Sequence, residues 1–232
     1  MGKDARQSVY AVLTGDLVDS TGLDTTSREE ARKLVLSSVA KLDDWSKKNV
    51  VRGKPEIFRG DQWQALLSQP KFALRAAIYV RAKLIATGCD TRVSIAIGAV
   101  DRISRTSISR SDGDAFVRSG HGLDEMKTDS ELAISLPDSM HDSGRWLSAI
   151  AELSGAILSG WKKGQAEVVS LAIDPQNFNQ SEIGKRLKTT QQLVSKALKA
   201  TRWDALEVAI KSFEGFDWES IDLTGQAGGA PR

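Results

Sequence analysis

Two stretches decide the fold of this chain: Thr14-Gly15-Asp16-Leu17-Val18-Asp19-Ser20 and Phe58-Arg59-Gly60-Asp61-Gln62-Trp63-Gln64-Ala65-Leu66. In each, a glycine-aspartate pair stands beside a run of apolar, β-forming residues, which is typical of a strand next to a tight turn. If the two strands lie side by side, their aspartates meet at one edge of a sheet. Carboxylate oxygens in such a place suit Mg²⁺ or Mn²⁺.

Strands and helices alternate around these stretches up to about residue 136. The apolar spacing predicts a strand at 8–13, a helix at 27–48 capped by Ser27, a hairpin of 56–58 and 62–67, a helix from Pro70, a strand at 92–100, a helix near 114–127 and a strand near 131–136. This β-α-β-β-α-β order is that of the ferredoxin-like fold, in which the first strand and the hairpin are antiparallel neighbours at the middle of one sheet.

This order gives the aspartates a chemical interpretation. Asp16, Asp19 and Asp61 would lie within reach of one site, where two ions about 3.5–4 Å apart could activate a ribose hydroxyl and stabilise a leaving pyrophosphate. The segment Ser20-Thr21-Gly22 then leads to a helix N-terminus, whose N–H groups can receive phosphate oxygens. The alternative is that Asp16 and Asp61 are turn residues, as most aspartates beside glycine are.

The C-terminal third is helical and contains a helix-turn-helix pattern at 180–199. The pattern is apolar at Ile183, Leu187, Val194 and Leu198 and small at Gly184, where two helices would cross closely. Lys188 stands where the turn usually has glycine. An amphipathic helical hairpin with solvated lysines is the alternative.

The second helix of this pattern would enter a DNA major groove. Gln suits adenine, and lysines contact phosphates. From 180 to 202 six basic residues oppose one acidic residue, a local charge of +5 in a chain whose net charge is only +2. We expect DNA contacts from Lys188, Thr190, Gln191, Gln192, Ser195, Lys196, Lys199 and Arg202.

Residues 143–163 predict a helix that is apolar at Leu147, Ile150, Leu153, Ile157, Leu158 and Trp161. It could bury this face within the chain or pair with a second copy. Because DNA readers of this type commonly act as dimers, the sequence favours a homodimer.

Composition limits the remaining possibilities. The 232 residues contain one cysteine, Cys89, which excludes a disulfide framework or a cysteine zinc cluster. A signal peptide and membrane spans are not evident, so we expect a cytoplasmic protein. The polar stretch 101–113, with Arg102, Arg105 and Arg110, predicts a mobile loop near the site.

Several motifs resemble known families. Asp16-Leu17-Val18-Asp19-Ser20-Thr21 and Gly60-Asp61 are similar to the metal-binding segments of class III nucleotidyl cyclases, whose layout GGDEF domains and polymerase palms share. A closer resemblance is to the SatD family, in which such a domain precedes a helix-turn-helix. It rests on Gly15-Asp16-Leu-Val-Asp19-Ser20, Gly60-Asp61-Gln-Trp-Gln, Ile97-Gly98 and Asp112-Gly113-Asp114-Ala115-Phe116.

The resemblance implies further site residues. Leu17, Ser20, Thr21 and Arg59 would contact a nucleotide, and Arg118 would fill the cationic catalytic position on the helix after the fourth strand. Active cyclases also place an asparagine on that helix, and residues 116–124 contain none. The catalytic set is therefore incomplete.

Together these observations predict an α+β protein. Its parts would be a nucleotidyl-cyclase-like domain at 1–136, a linking helix at 137–163, an all-α helix-turn-helix domain at 164–222 and a disordered tail at 223–232. The leading hypothesis is a transcriptional regulator whose N-terminal domain binds metal and a nucleotide. The alternative is an active metal-dependent nucleotidyl cyclase or oligonucleotide synthase.

Overall fold

The computed structural model describes residues 8–19, 22–104, 106–127 and 129–223. Over these ranges the chain is a mixed α+β structure with one five-stranded mixed sheet and eight α-helices. The strands are β1 (Tyr10–Leu17), β2 (Val51–Phe58), β3 (Gln62–Leu67), β4 (Thr91–Gly98) and β5 (Leu132–Ser135). The helices are α1 (Thr25–Lys41), α2 (Ala73–Thr87), α3 (Asp114–Asp124), α4 (His141–Ser159), α5 (Lys163–Ala172), α6 (Gln180–Arg186), α7 (Gln191–Ala200) and α8 (Trp203–Glu214).

The strand order is β2-β3-β1-β4-β5, so β1 lies in the middle of the sheet. It pairs antiparallel with β3 and with β4, while β5 runs parallel to β4. β1 extends further than the sequence indicates, because both neighbours keep pairing with it as far as Asp16. That residue lies opposite Gln62 on β3 and Arg92 on β4. Asp16 is thus inside a strand rather than beyond its end.

Gly15 leaves room on β1 for the side chain of a tryptophan from the neighbouring strand β3. The fully buried indole of Trp63 lies directly over Gly15, and a Cβ atom at residue 15 would be 2.4 Å from the ring. The indole Nε1 donates to Thr91 Oγ1 (2.9 Å), and this hydroxyl donates to the Asp16 carbonyl oxygen (2.8 Å). One side chain therefore joins β3, β1 and β4.

Helices cover both faces of the sheet. Leu13 and Ile95 belong to a large core that α1 and α2 complete, whereas Val12 belongs to a smaller cluster with Phe116 of α3 on the opposite face. Neighbouring residues of a strand alternate between the two faces, which accounts for this division.

A buried polar layer joins α3 to the sheet. Thr14 Oγ1 bonds Ser119 Oγ of α3 (2.8 Å) and accepts from Gln64 Nε2 (3.1 Å). Gly122 brings α3 close to the sheet here, because a Cβ atom at residue 122 would lie 2.5 Å from Ser94 Oγ. A glycine that weakens the helix by about 1 kcal/mol relative to alanine thus permits its packing.

The first two helices differ in detail from the sequence prediction. α1 is capped by Asp24, not Ser27, because the Asp24 carboxylate accepts from the N–H groups of Thr26 (2.9 Å) and Ser27 (3.0 Å). The helix ends at Lys41 and continues as a 3₁₀ turn at Leu42–Trp45. Before α2, Pro70–Phe72 likewise forms a 3₁₀ turn.

The C-terminal helices pack directly on α2 instead of following a linker. The fully buried Arg81 of α2 holds Asp90 through both carboxylate oxygens (2.6 and 3.0 Å) and donates to the Gly155 carbonyl of α4 (3.3 Å). Buried Arg75, also on α2, pairs with Glu214 of α8 (2.6 and 2.9 Å) and donates to the Ile173 carbonyl (2.6 Å). One continuous apolar core includes residues from β1 through α8.

The predicted linking helix and tail are therefore partly integrated into the core. Residues 137–163 contain α4 and the start of α5, and Leu147, Leu158 and Trp161 are buried. Leu223, at the start of the predicted disordered tail, is also buried. Residues 224–232 lie outside the described part of the chain.

The arginine-containing loop is docked on the sheet, in contrast to the mobile loop predicted from the sequence. Ile108 is buried beside Val12, and Glu56 of β2 accepts from Ser107 Oγ (2.5 Å) and Ser109 N (3.2 Å). Arg102 pairs in a β-bridge with Asp112. Arg105 lies outside the described residues.

We predict that Gly15→Ala lowers the free energy of unfolding by about 1–3 kcal/mol, because the new methyl group overpacks the site of Trp63. Gly120→Ala is the control, since a Cβ atom there meets nothing within 4 Å. It should raise stability by up to about 1 kcal/mol through helix propensity. Urea denaturation of both variants measures the difference. A Gly15→Ala protein as stable as the wild type would contradict the packing described.

The Ser107 hydroxyl, followed by the Ser109 N–H, lowers the pKa of Glu56. A lowered pKa in the folded state stabilises the fold at pH values above the unfolded pKa of about 4.3, and this stabilisation is lost as pH falls through the folded value. We therefore expect Glu56→Ala to be less stable than the wild type at pH 7, with the difference shrinking towards pH 3. Chemical denaturation at the two pH values tests this. A difference that is constant with pH would rule out the carboxylate as its source.

Candidate functional site

Asp16 and Asp61 each pair with an arginine. Asp16 Oδ2 lies 3.3 Å from Arg92 Nη2 of β4. Asp61, in the turn before β3, pairs with Arg32 of α1, whose Nη2 lies 2.7 Å from Oδ1 and also donates to the Gly60 carbonyl (2.9 Å). Each of these two carboxylates thus has a neighbouring cation.

The two segments that hold these carboxylates are adjacent. Asp16 lies opposite Gln62 of β3, Asp61 is in the turn one residue before that strand, and the Leu17 N–H donates to the Asp61 carbonyl (3.4 Å). The arginine partners of the two carboxylates differ, because Arg32 comes from α1 whereas Arg92 lies opposite Asp16 on β4. A shared metal site of Asp16 and Asp61 stays a prediction.

Asp19 lies two residues beyond the end of β1, near the start of the β1–α1 connection. Its φ of 51° is left-handed, which is uncommon for a residue other than glycine. Asp19 lines a pocket of about 490 Å³, hereafter the junction pocket, between this connection, the end of α2 and the α4–α5 turn. The lining residues are Val18, Asp19, Leu23, Ile85, Gly88, Cys89, Asp90, Leu158, Ser159, Trp161, Lys162 and Lys163.

The junction pocket combines charge with an aromatic wall. Lys163 packs closely over Gly88, where a Cβ atom would lie 2.5 Å from Nζ, and Gly88 ends α2 with a φ of 92°. The ammonium group therefore sits at the negative end of the α2 dipole. Asp90 is ion-paired with Arg81, while Trp161 closes the pocket on the side of the C-terminal helices.

Metal binding by Asp16, Asp19 and Asp61 stays a prediction. Over the described ranges, no group of three or more His, Cys, Asp or Glu side chains is arranged to hold a metal ion. Asp16 and Asp61 each use one carboxylate oxygen for an arginine partner, Oδ2 and Oδ1 respectively. Asp19, which no ion pair in the described residues holds, is the most accessible of the three.

The other predicted nucleotide contacts are dispersed. The side chain of Leu17 is buried in the core. Arg59, with a left-handed φ of 45°, lines a second, shallow pocket of about 380 Å³ beside α1, together with Arg32 and Lys33. Ser20 and Thr21 fall outside the described residues.

Arg118, the predicted catalytic arginine, is bound at the far end of the sheet. Its Nη1 donates to the Leu136 carbonyl (2.5 Å), and its Nε lies 2.7 Å from Asp114 Oδ2. Leu136 follows Ser135, which pairs with Ala96, whereas Asp16 pairs with Arg92. Leu136 and Asp16 are therefore four to five residues apart along the strand direction, which at about 3.3 Å per residue is roughly 15 Å. In this structure Arg118 fastens α3 to the β5–α4 connection.

The helix-turn-helix pattern folds as two crossing helices, α6 and α7. Ile183, Val194 and Leu198 are buried, and Leu187 packs against them. Gly184 allows the close crossing, because a Cβ atom there would lie 3.0 Å from the Thr189 carbonyl.

The ends of the turn are fixed by local hydrogen bonds. Asn179 and Glu182 form a reciprocal capping box at the start of α6. Lys188 takes the left-handed conformation that glycine usually supplies, with a φ of 52°. Thr190 caps α7 by accepting from Leu193 N (3.3 Å), so its hydroxyl serves the helix. Sequence spacing alone gave Thr190 a base-reading role.

The remaining predicted DNA contacts form one open surface. Ser195 is half-buried, and the other side chains, which belong to Lys188, Gln191, Gln192, Lys196, Lys199 and Arg202, are exposed. α7 contains no acidic residue.

The sequence analysis did not single out Trp161 or Lys163 as pocket residues. Their joint position in the junction pocket depends on the packing of helices that are distant in sequence.

Comparison with known proteins agrees with the motifs. A search among curated proteins finds no match to this chain. In the part that the structure describes, no helix is long and apolar enough to cross a membrane. The profile of the SatD family matches residues 10–210, which is most of the chain, and the protein therefore belongs to the SatD family.

Proposed function

We propose that this protein is a DNA-binding transcriptional regulator whose α+β region senses a nucleotide. The observation that carries the proposal is the exposed surface of α7. It presents two glutamines and two lysines and no acid, on a helix whose start is capped and whose opposite face is buried against α6. This combination suits a recognition helix in the major groove.

The side chains of α7 suggest a division of roles. Gln191 and Gln192, in the first turn, are well suited to adenine edges. Lys196 and Lys199 lie one to two turns later and suit phosphates, as do Lys188 and Arg202 at the ends of the helix. Thr190 caps the helix, and its place beside the groove allows a phosphate contact from its backbone N–H.

The α+β region supports a nucleotide-binding role through its topology. The order β2-β3-β1-β4, with β1 antiparallel to both neighbours, is what a ferredoxin-like, cyclase-type domain would show. We propose that the chain contains such a domain followed by a helix-turn-helix unit, docked together through α2. In this proposal the Gly15-Asp16 and Gly60-Asp61 segments have a structural role in the central strands, and they do not form a cyclase-type catalytic centre.

The junction pocket is the ligand site in this proposal. Its volume of about 490 Å³ falls within the range of small-molecule pockets. Lys162 and Lys163 would face phosphates, and Trp161 offers an apolar surface to a base or ribose. Mg²⁺ commonly binds through one or two carboxylates together with nucleotide phosphates, so Asp19 would suffice for a co-bound Mg²⁺ or Mn²⁺.

The position of this pocket links it to the DNA-binding helices. Trp161 lines the pocket, and its Nε1 donates to the Thr201 carbonyl (3.3 Å) at the end of α7. Lys163 is both a pocket residue and the first residue of α5, which packs against α6 and α7. If a bound ligand prefers one of two positions of the α4–α5 turn, it shifts the population towards that position. The free energy of DNA binding then changes by at most the difference in the ligand's binding free energy between the two positions.

Turnover by a two-metal mechanism is the less supported alternative. It would need Asp16 and Asp61 to bind metal while Arg92 and Arg32 lie beside them, and a cationic group other than Arg118 near the phosphates. Pyrophosphate release from any nucleoside triphosphate with Mn²⁺ would favour that alternative.

We expect the protein to select a duplex from a random DNA library. Gln192→Ala should then lower affinity for that duplex by about 1–3 kcal/mol and leave binding to unrelated DNA unchanged, because a base contact is lost. Lys196→Ala should weaken binding to all duplexes and reduce the salt slope by about 1. Lys33→Ala on α1 is the control and should change neither. Fluorescence anisotropy at several salt concentrations measures all three. Absence of DNA binding at 50 mM salt would contradict the proposal.

We expect calorimetric titration with nucleoside triphosphates and Mg²⁺ to show binding that Asp19→Ala weakens by about tenfold or more, because the metal loses its carboxylate ligand. Asp16→Ala is the matched control. If the ligand occupies the junction pocket, this variant should bind as the wild type does. Equal losses in both variants would instead indicate a centre built on β1, and no binding to the wild type would refute the sensing role.

A further inference from the structure

Helix α4 is apolar over a wide face that the core covers only in part. Leu147, Ala151 and Leu158 are buried in the core. A second set of apolar residues lies beside them: its two isoleucines are half-buried and pack against the edge of the core, and the other members are exposed. This set, the α4 stripe, consists of Trp146, Ala149, Ile150, Leu153, Ala156 and Ile157.

The spacing of the α4 stripe is that of a buried helix face. Its members follow each other at i, i+3, i+4, i+7, i+10 and i+11, the pattern of a helix that packs against a partner. Yet Trp146 is 76% exposed and Leu153 is 65% exposed. These two side chains present on the order of 300 Å² of apolar surface, about the size of the largest apolar patch on a typical monomer, and such a patch is often functional.

The residues outside the described ranges contain little apolar surface. They are 1–7, 20–21, 105, 128 and 224–232, and Met1 is the only large apolar residue among them. Among the side chains of α4 that the structure describes, the charged ones beside the stripe are Arg145 and Glu152. A membrane-surface helix would instead show a lysine- and arginine-rich polar face.

We propose that the α4 stripe is the contact surface between two copies of this chain. In an antiparallel pair centred between Ala151 and Glu152, residue 150 of one copy faces residue 153 of the other, and residue 146 faces 156 and 157. The large indole of Trp146 then meets the small side chain of Ala156, and the two-fold axis repeats this fit. A stable interface buries about 800 Å² from each partner, so the stripe forms its apolar centre and polar residues form the rim.

This pairing also has a geometric consequence for the DNA-binding helices. α4 ends at Ser159 and α5 begins at Lys163, so three residues separate α4 from a helix that packs against α6 and α7. Two copies joined along α4 would present two copies of α7 related by a two-fold axis. Two such helices match the half-sites of a palindrome. The dimer itself is independent of DNA binding and is tested without DNA.

The test is the molar mass of the full chain by light scattering across protein concentrations. We expect the wild type to show twice the 25.2 kDa of one chain. Leu153→Asp should be monomeric, and Trp146→Ala should raise the dimer dissociation constant by about tenfold or more. Val208→Asp is the control, because Val208 on α8 is also 65% exposed but lies outside the stripe, and it should stay dimeric.

Circular dichroism separates dissociation from unfolding. Leu153 is mostly exposed, so its variant should keep the wild-type helical signal, and if it does not, Trp146→Ala gives the deciding result. A monomeric wild type at all concentrations, or a Leu153→Asp protein that remains a folded dimer, would overturn the proposal. Equal disruption by Val208→Asp would overturn it as well.

Discussion

The contact of Trp63 with Gly15 is the constraint on which the central sheet depends. A fully buried indole occupies the space that a side chain at residue 15 would take, and Thr91 holds the indole nitrogen. The same hydroxyl donates to the Asp16 backbone, so the three central strands are fixed in one register. That register places Asp16 beside Arg92 and leaves Asp61 to Arg32. The placement of Asp16 beside Arg92 therefore follows from the packing of Trp63 on Gly15.

Helix α2 connects this sheet to the C-terminal helices. Its two buried arginines satisfy acidic groups and carbonyls from α4, α8 and the start of β4. Breaking such a buried pair typically costs about 3–5 kcal/mol, because the remaining charge stays buried without a partner. These ion pairs thus help to hold the sheet and the C-terminal helices together, alongside the shared apolar core.

Local patterns in the sequence predicted most of the elements up to β5 and the two helices α6 and α7, but not α5 or the first half of β2. Apolar alternation and turn residues predicted β1, the hairpin and β4, and helical spacing predicted α6 and α7 with their buried residues Ile183, Val194 and Leu198. The boundary errors have local causes: Asp24 competes with Ser27 for the cap of α1, and β1 continues because both neighbours keep pairing with it.

The candidate site was less predictable, because it depends on pairs distant in sequence. No local pattern shows that Arg118 binds the Leu136 carbonyl, that Arg32 binds Asp61, or that Ile108 is buried. The junction pocket joins residues 18–23, 85–90 and 158–163, which only the packing of α2, α4 and α5 brings together. The apolar set of the predicted linking helix was also divided by packing, since Leu147 is buried and Leu153 is exposed.

The docking of α5 and α8 on α2 limits how α6 and α7 can move. Arg75 is bonded to Glu214 and to the Ile173 carbonyl, so α5 and α8 are fixed to α2. Large hinge rotations would break these ion pairs, whereas small sliding of packed helices would preserve them. Any displacement of α7 that is transmitted through these helices should therefore be a shear of about an ångström or two.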